Sequence, residues 1–333
     1  MLRLKKKFIY IQFKAEGIII MNRNLYTKIA YWYYVLGLTQ DEIAKRLNFT
    51  RQKVNQMINS LKELDIVHVT VRGFEQDNVE LETILEQKYG LKECLIVTDY
   101  GETETAIYKV AHVAAQYLED TLKNGDTIGV SWGQTLAKIA EQMEYRHKPD
   151  CRVVSLLGAL NIEQTISKAD EVARNFANKL DCPNILLYAP LVVENRETKE
   201  WLMREKHIKQ TFDLMKQCNI AVLGIGSLTE KTSIYARGVI SKEEQQELCN
   251  QGFVGDIATN LVRPDGTWNS NPLNDRLLAA DLQCLKDIDN LVAVAAGETK
   301  AEAIQAVLQS GCVDTLIVDE TTARKIISSA SAQ

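Results

Sequence analysis

The sequence predicts an α/β protein in two parts: an N-terminal winged helix-turn-helix domain, then a doubly wound, mainly parallel sheet with helices on both faces. Three observations carry this. Thr39 to Leu64, TQDEIAKRLNFTRQKVNQMINSLKEL, holds two short amphipathic periods around a single turn residue. From Leu91 onward, short apolar runs alternate with longer amphipathic ones, the pattern of strand–helix units. Charge is divided: residues 1–72 hold 13 Lys or Arg against 5 Asp or Glu, a net +8, leaving −13 for the rest of a chain whose total is −5. The asymmetry survives without Lys5–Lys7, since residues 22–72 still carry 8 basic against 4 acidic side chains.

Leu25 to Leu36 reads as a supporting helix with Ile29, Trp32, Tyr33 and Leu36 on one face. Thr39 and Glu42 have capping-box spacing and open a helix whose apolar stripe is Ile43, Ala44 and Leu47. Asn48 falls at the turn, where its tolerance of the left-handed conformation is useful. Thr50 caps the next helix, with Val54, Met57, Ile58, Leu61 and Leu64 at helical spacing. The opposite face carries Arg51, Gln52, Lys53, Asn55 and Gln56, side chains able to reach phosphates and base edges in a major groove. Ile66 to Arg72 alternates valines with polar partners, as a strand or wing would. Asn78 to Tyr89 predicts a linker helix with Val79, Leu81, Ile84 and Leu85 as its apolar side, which suits packing on a symmetry mate or on its own domain equally.

Strands are expected at Cys94–Thr98, Thr127–Ser131, Arg152–Leu157, Ile185–Tyr188, Ala221–Gly224, Leu291–Ala295 and Thr315–Val318. Helices are expected at Thr103–Leu122, Thr135–Met143, Ser167–Leu180, Glu298–Leu308 and Glu320–Ile327. The implied domains are a helix-turn-helix domain over 21–73, a linker over 74–90 and a larger domain over 91–333. Residues 1–20 mimic a signal peptide, but Gln12, Lys14 and Glu16 interrupt the apolar run and no small-residue cleavage site follows. They are expected to be an extension, disordered or absent in the cell.

The seven cysteines are odd in number, widely spaced and form no CxxC pair, and the four histidines lack metal-ligand spacing. The expectation is a cytoplasmic protein with neither metal nor other cofactor. No segment has the roughly 20 apolar residues of a membrane span.

In a doubly wound sheet, ligands bind where strand ends lead into helices. Ser131-Trp132-Gly133-Gln134-Thr135 follows a strand and opens a helix, so its amides and side chains suit a phosphate. Ala296-Gly297-Glu298-Thr299-Lys300 repeats the logic and adds a cation. Gly224-Ile225-Gly226-Ser227 reads as a third strand-end turn; it lacks the later glycine of a dinucleotide fingerprint, and there is no Walker motif. Asp256 and Arg276 are further polar candidates, each equally explained as a cap or a surface ion pair.

Taken in order, LTQDEIAKRLNFTRQKVNQMI, IGVSWGQTL, YAPLVV, GIGSL, VGDI, PLNDR, AGETKAEAI and DTLIVDETTA resemble the SorC family of bacterial sugar-responsive transcription regulators, from about Leu25 to about Ile327. The resemblance implies a homo-oligomer, dimeric or tetrameric, whose large domain is similar to sugar-phosphate isomerases but serves as a sensor. It further implies that Gly133, Gln134, Thr135 and Lys300 hold the phosphate of a sugar or polyol effector and that Asp256 meets its hydroxyls. Thr50, Arg51, Gln52, Lys53, Asn55 and Gln56 would engage double-stranded operator DNA. Four positions depart from the family pattern: Ala159 and Ala296 where a second Gly is frequent, Gln56 where Arg is common, and Asn48 where Gly is usual. The rival reading is a sugar-phosphate isomerase or deaminase with an appended DNA module; its acid/base work would fall to Asp256, Glu298 or Asp319.

Overall fold

A computed structural model of the chain describes residues 24–329, except 65, 68–75, 99–102, 161–167, 230–232, 237 and 269–270. Residues 1–20 and most of the expected strand at Ile66–Arg72 lie outside the described residues. The chain divides into two compact units, Met1–Gly73 and Phe74–Gln333.

In the first unit, helix α1 (residues 24–30) continues into a π-helical turn, Tyr31–Val35. The wider turn rotates the residues after it out of register. Ile29 is fully buried and Trp32 and Tyr33 pack partly against the core, but Leu36 is exposed rather than on the buried face expected for it. Helix α2 (Gln40–Leu47) begins with the expected capping box: the Thr39 hydroxyl accepts from the Glu42 amide, and the Glu42 carboxylate accepts from the Thr39 amide at 2.8 Å. Asn48 ends it in the left-handed conformation (φ 53°, ψ 42°). Helix α3 (Arg51–Asn59) comes next, and Ile43, Ala44, Val54, Met57, Ile58 and Leu61 close the core between the two helices. Leu64, expected on that stripe, is exposed because α3 ends at Asn59 and the chain continues as turns.

The second unit is built on the doubly wound sheet that the alternation predicts. Helix α4 (Gln76–Tyr89) precedes strand β1 (Glu93–Val97), and α5 (Thr103–Thr121) leads to β2 (Thr127–Val130). Then come α6 (Gln134–Gln142), β3 (Arg152–Ala159), α7 (Ala169–Leu180) and β4 (Asn184–Pro190). Two helices not foreseen, α8 (Arg196–Arg204) and α9 (Lys206–Met215), precede β5 (Ile220–Ser227). Two more, α10 (Ser233–Ala236) and α11 (Lys242–Asn250), lead to the short strands β6 (Gly255–Ile257) and β7 (Asn260–Val262). The chain closes with α12 (Leu282–Lys286), β8 (Asn290–Ala295), α13 (Ala301–Gln309), β9 (Thr315–Asp319) and α14 (Glu320–Ser329).

The main sheet runs β1-β9-β8-β5-β2-β3-β4, all parallel. Its strands are apolar on both sides, as a sheet covered on both faces requires. One face is packed by α5, α6 and α7 through Leu118, Leu136, Ile139 and Phe176. The other is packed by α4, α9, α12, α13 and α14 through Leu85, Met215, Leu285, Ile304 and Ile326. Strand order advances from β2 towards β4, then restarts at β5 and advances the other way, so the topological switch lies between β2 and β5.

Two expectations are corrected here. Gly224–Ser227 is strand, not turn, because β6 pairs antiparallel with Ile225, Gly226 and Ser227 and prolongs β5. On α4, Val79 and Ile84 are exposed. The face that packs is polar as well as apolar: beside buried Leu85, the Glu82 and Glu86 carboxylates accept from the Ile96 and Cys94 amides (2.8 and 2.9 Å), and Asn78 donates to the Ile96 carbonyl. These side chains occupy the free edge of β1, which a hydrophobic stripe could not satisfy. All seven cysteines are free thiols, and burial pushes that of Cys218 up to about 12.

Candidate functional site

The first unit displays a polar helix face. Thr50 caps α3, its hydroxyl accepting from the Lys53 amide at 3.2 Å. With Val54, Met57 and Ile58 turned into the core, Arg51, Gln52, Lys53, Asn55 and Gln56 are left exposed on one side. Arg51 lies 3.8 Å from Asp41, with both side chains mostly in solvent, a pair that contributes little and is easily exchanged for a phosphate. The Asn55 side-chain Oδ1 accepts from the Gln40 side-chain amide at 3.0 Å, which ties α2 to α3, and the Lys53 ammonium sits 4.1 Å from the Phe49 ring centroid. The side chains at the helix start are therefore pre-aimed.

In the second unit the candidate residues lie at one end of the sheet. Because β2, β5 and β8 are parallel, their carboxyl ends are adjacent, at the switch point where a doubly wound sheet opens a crevice. The helix after β2 and the helix after β8 leave for opposite faces. Gly133, at the cap of α6, has φ 128° and ψ 158°, a conformation that only glycine adopts without strain. Gln134 is exposed, Thr135 is half-buried, and the first turn of α6 holds no acidic residue to repel an anion.

Lys300 lies at the end of a 3₁₀ turn, Glu298–Lys300, that interrupts the expected Glu298–Leu308 helix. Its ammonium donates to the Ile225 carbonyl at 3.1 Å. Burial holds its pKa below the ordinary lysine value, and the Asp256 and Asp319 carboxylates oppose that shift. It is not a solvated surface lysine. Asp256, on β6, is 4% exposed and accepts from the Thr259 amide at 3.1 Å. A carboxylate and an ammonium thus share one buried neighbourhood, an arrangement suited to a ligand with hydroxyls and an anionic group.

Asp319 plays a different part. Its carboxylate accepts from the Gly297 amide (2.8 Å), the Thr322 amide (2.9 Å) and the Thr322 hydroxyl (2.7 Å), and so fixes the loop that delivers Lys300. Glu298 faces outwards to Lys325 at 2.8 Å. Arg276 pairs with Glu244 at 2.5 Å, which removes it from the candidate ligand contacts. Of the two departures near the site, Ala296 is buried and Ala159 is exposed. Sequence reasoning missed Thr259, named Ser131 only as part of the Ser131–Thr135 segment, and named Gly226 only as part of a turn. The strand position of Gly226 emerges only from its pairing with β6, and nothing marks the hydroxyls of Ser131 and Thr259 as a pair except their burial.

A family model described as "Putative sugar-binding domain" matches residues 75–328. The chain is 30% identical over 306 residues to the deoxyribonucleoside regulator of Bacillus subtilis (strain 168), covering 92% of this chain and 97% of that one. It is also 30% identical over 306 residues to the erythritol catabolism regulatory protein EryD of Brucella abortus (strain 2308), covering 91% and 96%. Among solved structures, a DeoR family transcriptional regulator from Listeria monocytogenes superposes with a TM-score of 0.71 at 29% identity, over 75% of this chain and all of that one. The full-length sorbitol operon regulator SorC from Klebsiella pneumoniae superposes with a TM-score of 0.70 over 91% of this chain and 98% of its own; at 24% identity that likeness is one of fold.

Proposed function

The chain belongs to the SorC family of transcriptional regulators with a sugar-binding domain, and from that premise we propose that a phosphorylated sugar or polyol controls its binding to operator DNA. The observation that carries this reading is Lys300, buried beside Asp256 at the carboxyl ends of the central strands and anchored on the Ile225 carbonyl. Phosphate rests on the α6 amides with Thr135 and Lys300, while Asp256 takes hydroxyls. Arg51, Gln52, Lys53 and Gln56 contact DNA from α3, with Thr50 and Asn55 at its margins. The working form is a homo-oligomer, since two heads reading half-sites about 34 Å apart, or a multiple of that, respond steeply to modest changes in subunit arrangement.

The site senses and does not turn over its ligand. Of the three carboxylates an isomerase or deaminase would recruit, Glu298 faces Lys325 and Asp319 is committed to holding its own loop. Asp256 remains, and a lone carboxylate does not supply the paired acid and base that enediol chemistry needs. Fluorescence anisotropy on DNA from upstream of the gene, with and without a panel of sugar phosphates and their unphosphorylated sugars, tests the proposal. Site-selective binding that responds to one phosphorylated compound supports it. Conversion of a panel member to product would favour the enzyme instead.

A further inference from the structure

Two buried hydroxyls at the switch point have no hydrogen-bond partner among the described residues: Ser131 Oγ, in a residue 1% exposed, and Thr259 Oγ1, in a residue with no exposure. Strand register brings them to the same level of the sheet. Val130 of β2 pairs with Val222 of β5, so Ser131 and Trp132 fall level with Leu223 and Gly224. Ile257 of β6 pairs with Ile225, so the turn Ala258–Thr259 also falls level with Gly224. Asn260 places the hairpin on the β2 side of β5, because it donates to the Ala280 carbonyl (2.9 Å) while the Ala280 amide donates to Leu156 of β3 (2.7 Å). The β6–β7 hairpin therefore occupies the lane that β2 vacates, with its tip directed at the end of β2.

That tip is strained. Ala258 (φ 47°) and Thr259 (φ 69°) are consecutive left-handed residues, and neither is glycine. For a β-branched residue such a φ is unusual and unfavourable. The conformation is held by Asn260, whose side chain donates to the Ile257, Ala258 and Ala280 carbonyls, and by Asp256, which takes the Thr259 amide. Strain maintained by so many contacts, delivering a hydroxyl without a hydrogen-bond partner among the described residues, indicates a binding role rather than a folding one.

We propose that Ser131 and Thr259 form a hydroxyl-reading floor of the effector site, which takes one hydroxyl of a phosphorylated sugar or polyol whose phosphate rests on α6 and Lys300. This inference rests on the sugar-phosphate reading above. A ligand hydroxyl donates to one side chain and accepts from the other, so the pair selects a hydroxylated carbon over a bare methylene at that position. It sets which carbon chain is recognised and leaves phosphate capture to the other end of the site.

The test is calorimetry on the full chain with ribose 5-phosphate, glucose 6-phosphate, fructose 6-phosphate and erythritol 4-phosphate, and with inorganic phosphate as a separate arm. For a member that the wild type binds, Ser131→Ala and Thr259→Val are each expected to weaken affinity about tenfold, the loss of one ligand hydrogen bond. Their melting temperatures should not fall, inorganic phosphate affinity should be unchanged, and Thr259→Ser should restore sugar-phosphate binding. Wild-type affinity retained by both variants would overturn the floor alone, as would a lowered melting temperature with affinity intact, the signature of hydroxyls that serve an internal water. Equal loss of inorganic phosphate and sugar phosphate would also overturn it. A wild type that binds no panel member would overturn the sugar-phosphate reading and the floor with it.

Discussion

The Asp256 carboxylate lies against the α-carbon of Gly226, in the space that a methyl group on Gly226 would fill. The two residues are paired across the β5–β6 ladder, so the backbone fixes their approach. Gly226 is therefore a requirement of the site and not of a turn. Gly226→Ala should push the Asp256 side chain aside, since the end of a side chain yields more easily than paired backbone. The expected outcome is a folded protein with normal operator affinity and an effector response weakened about tenfold or more, a single charged hydrogen bond being worth roughly that. Anisotropy titrations of DNA and then of effector on the same preparation separate the two effects.

The first unit should respond to loss of its cap in stability rather than in recognition. Thr39→Ala removes the hydroxyl that caps the Glu42 amide on α2, at a cost of about 1 kcal/mol, and leaves the residue-39 backbone amide to donate to Glu42. The loss should appear as a lower unfolding midpoint in urea for the DNA-reading unit. Effector affinity measured in native buffer should not change.

Arg51→Ala should do the opposite. Its ion pair with Asp41 is solvent-exposed, so stability should hold. Operator binding is expected to be lost, and any residual binding should show a salt slope shallower by about 1, the mark of one missing phosphate contact. Effector binding at the switch point should be indistinguishable from wild type. A normal salt slope would remove Arg51 from the DNA contacts.

The seven parallel strands were legible because a strand covered on both faces is a continuous apolar run, and runs such as Leu291–Ala295 have few other readings. The helix-turn-helix was legible because Thr39, Glu42, Asn48 and Thr50 mark its caps and turn. The β6–β7 hairpin was not. Its strands are three residues long, and Gly255, Asp256, Thr259 and Asn260 would each argue for a loop by local propensity. Tertiary pairing to β5 overrides that preference. Helix α8 also escaped notice, since none of its residues is fully buried and its pattern is correspondingly weak. Lys300 could be nominated from the end of a strand and Asp256 only as a polar candidate whose role the family resemblance implied, but the burial that makes them a pair comes from the hairpin that was missed.

Lys300→Ala is expected to weaken the sugar-phosphate response by one to two orders of magnitude, in line with the roughly 1.5–3 kcal/mol of a hydrogen bond to a charged group. Operator affinity without effector should change little. Burial lowers the lysine pKa and a bound phosphate opposes that shift, so wild-type effector affinity should fall as pH rises towards the lysine range. In Lys300→Ala that part of the pH dependence should be absent. Calorimetry at three pH values checks both statements.

Glu82 makes the last prediction, and its sign comes from burial. Half-burial on α4 raises the Glu82 pKa, with the Ile96 amide opposing the shift and Glu86 and Glu93 adding to it. An acid whose folded-state pKa is raised contributes stability that is fully present below its unfolded value and lost as pH rises through its folded value. At neutral pH the charged carboxylate is thus a liability, retained beside an edge amide that needs an acceptor. Glu82→Gln keeps a carbonyl oxygen for the Ile96 amide and discards the charge. The variant should match or exceed the wild type in thermal stability at pH 7, and the difference should shift in favour of the wild type as pH falls through the Glu82 pKa. Melting curves from pH 4 to pH 8 decide it. A variant less stable than wild type throughout that range would mean that the charge on the carboxylate, and not merely its oxygen, holds α4 against the edge of β1.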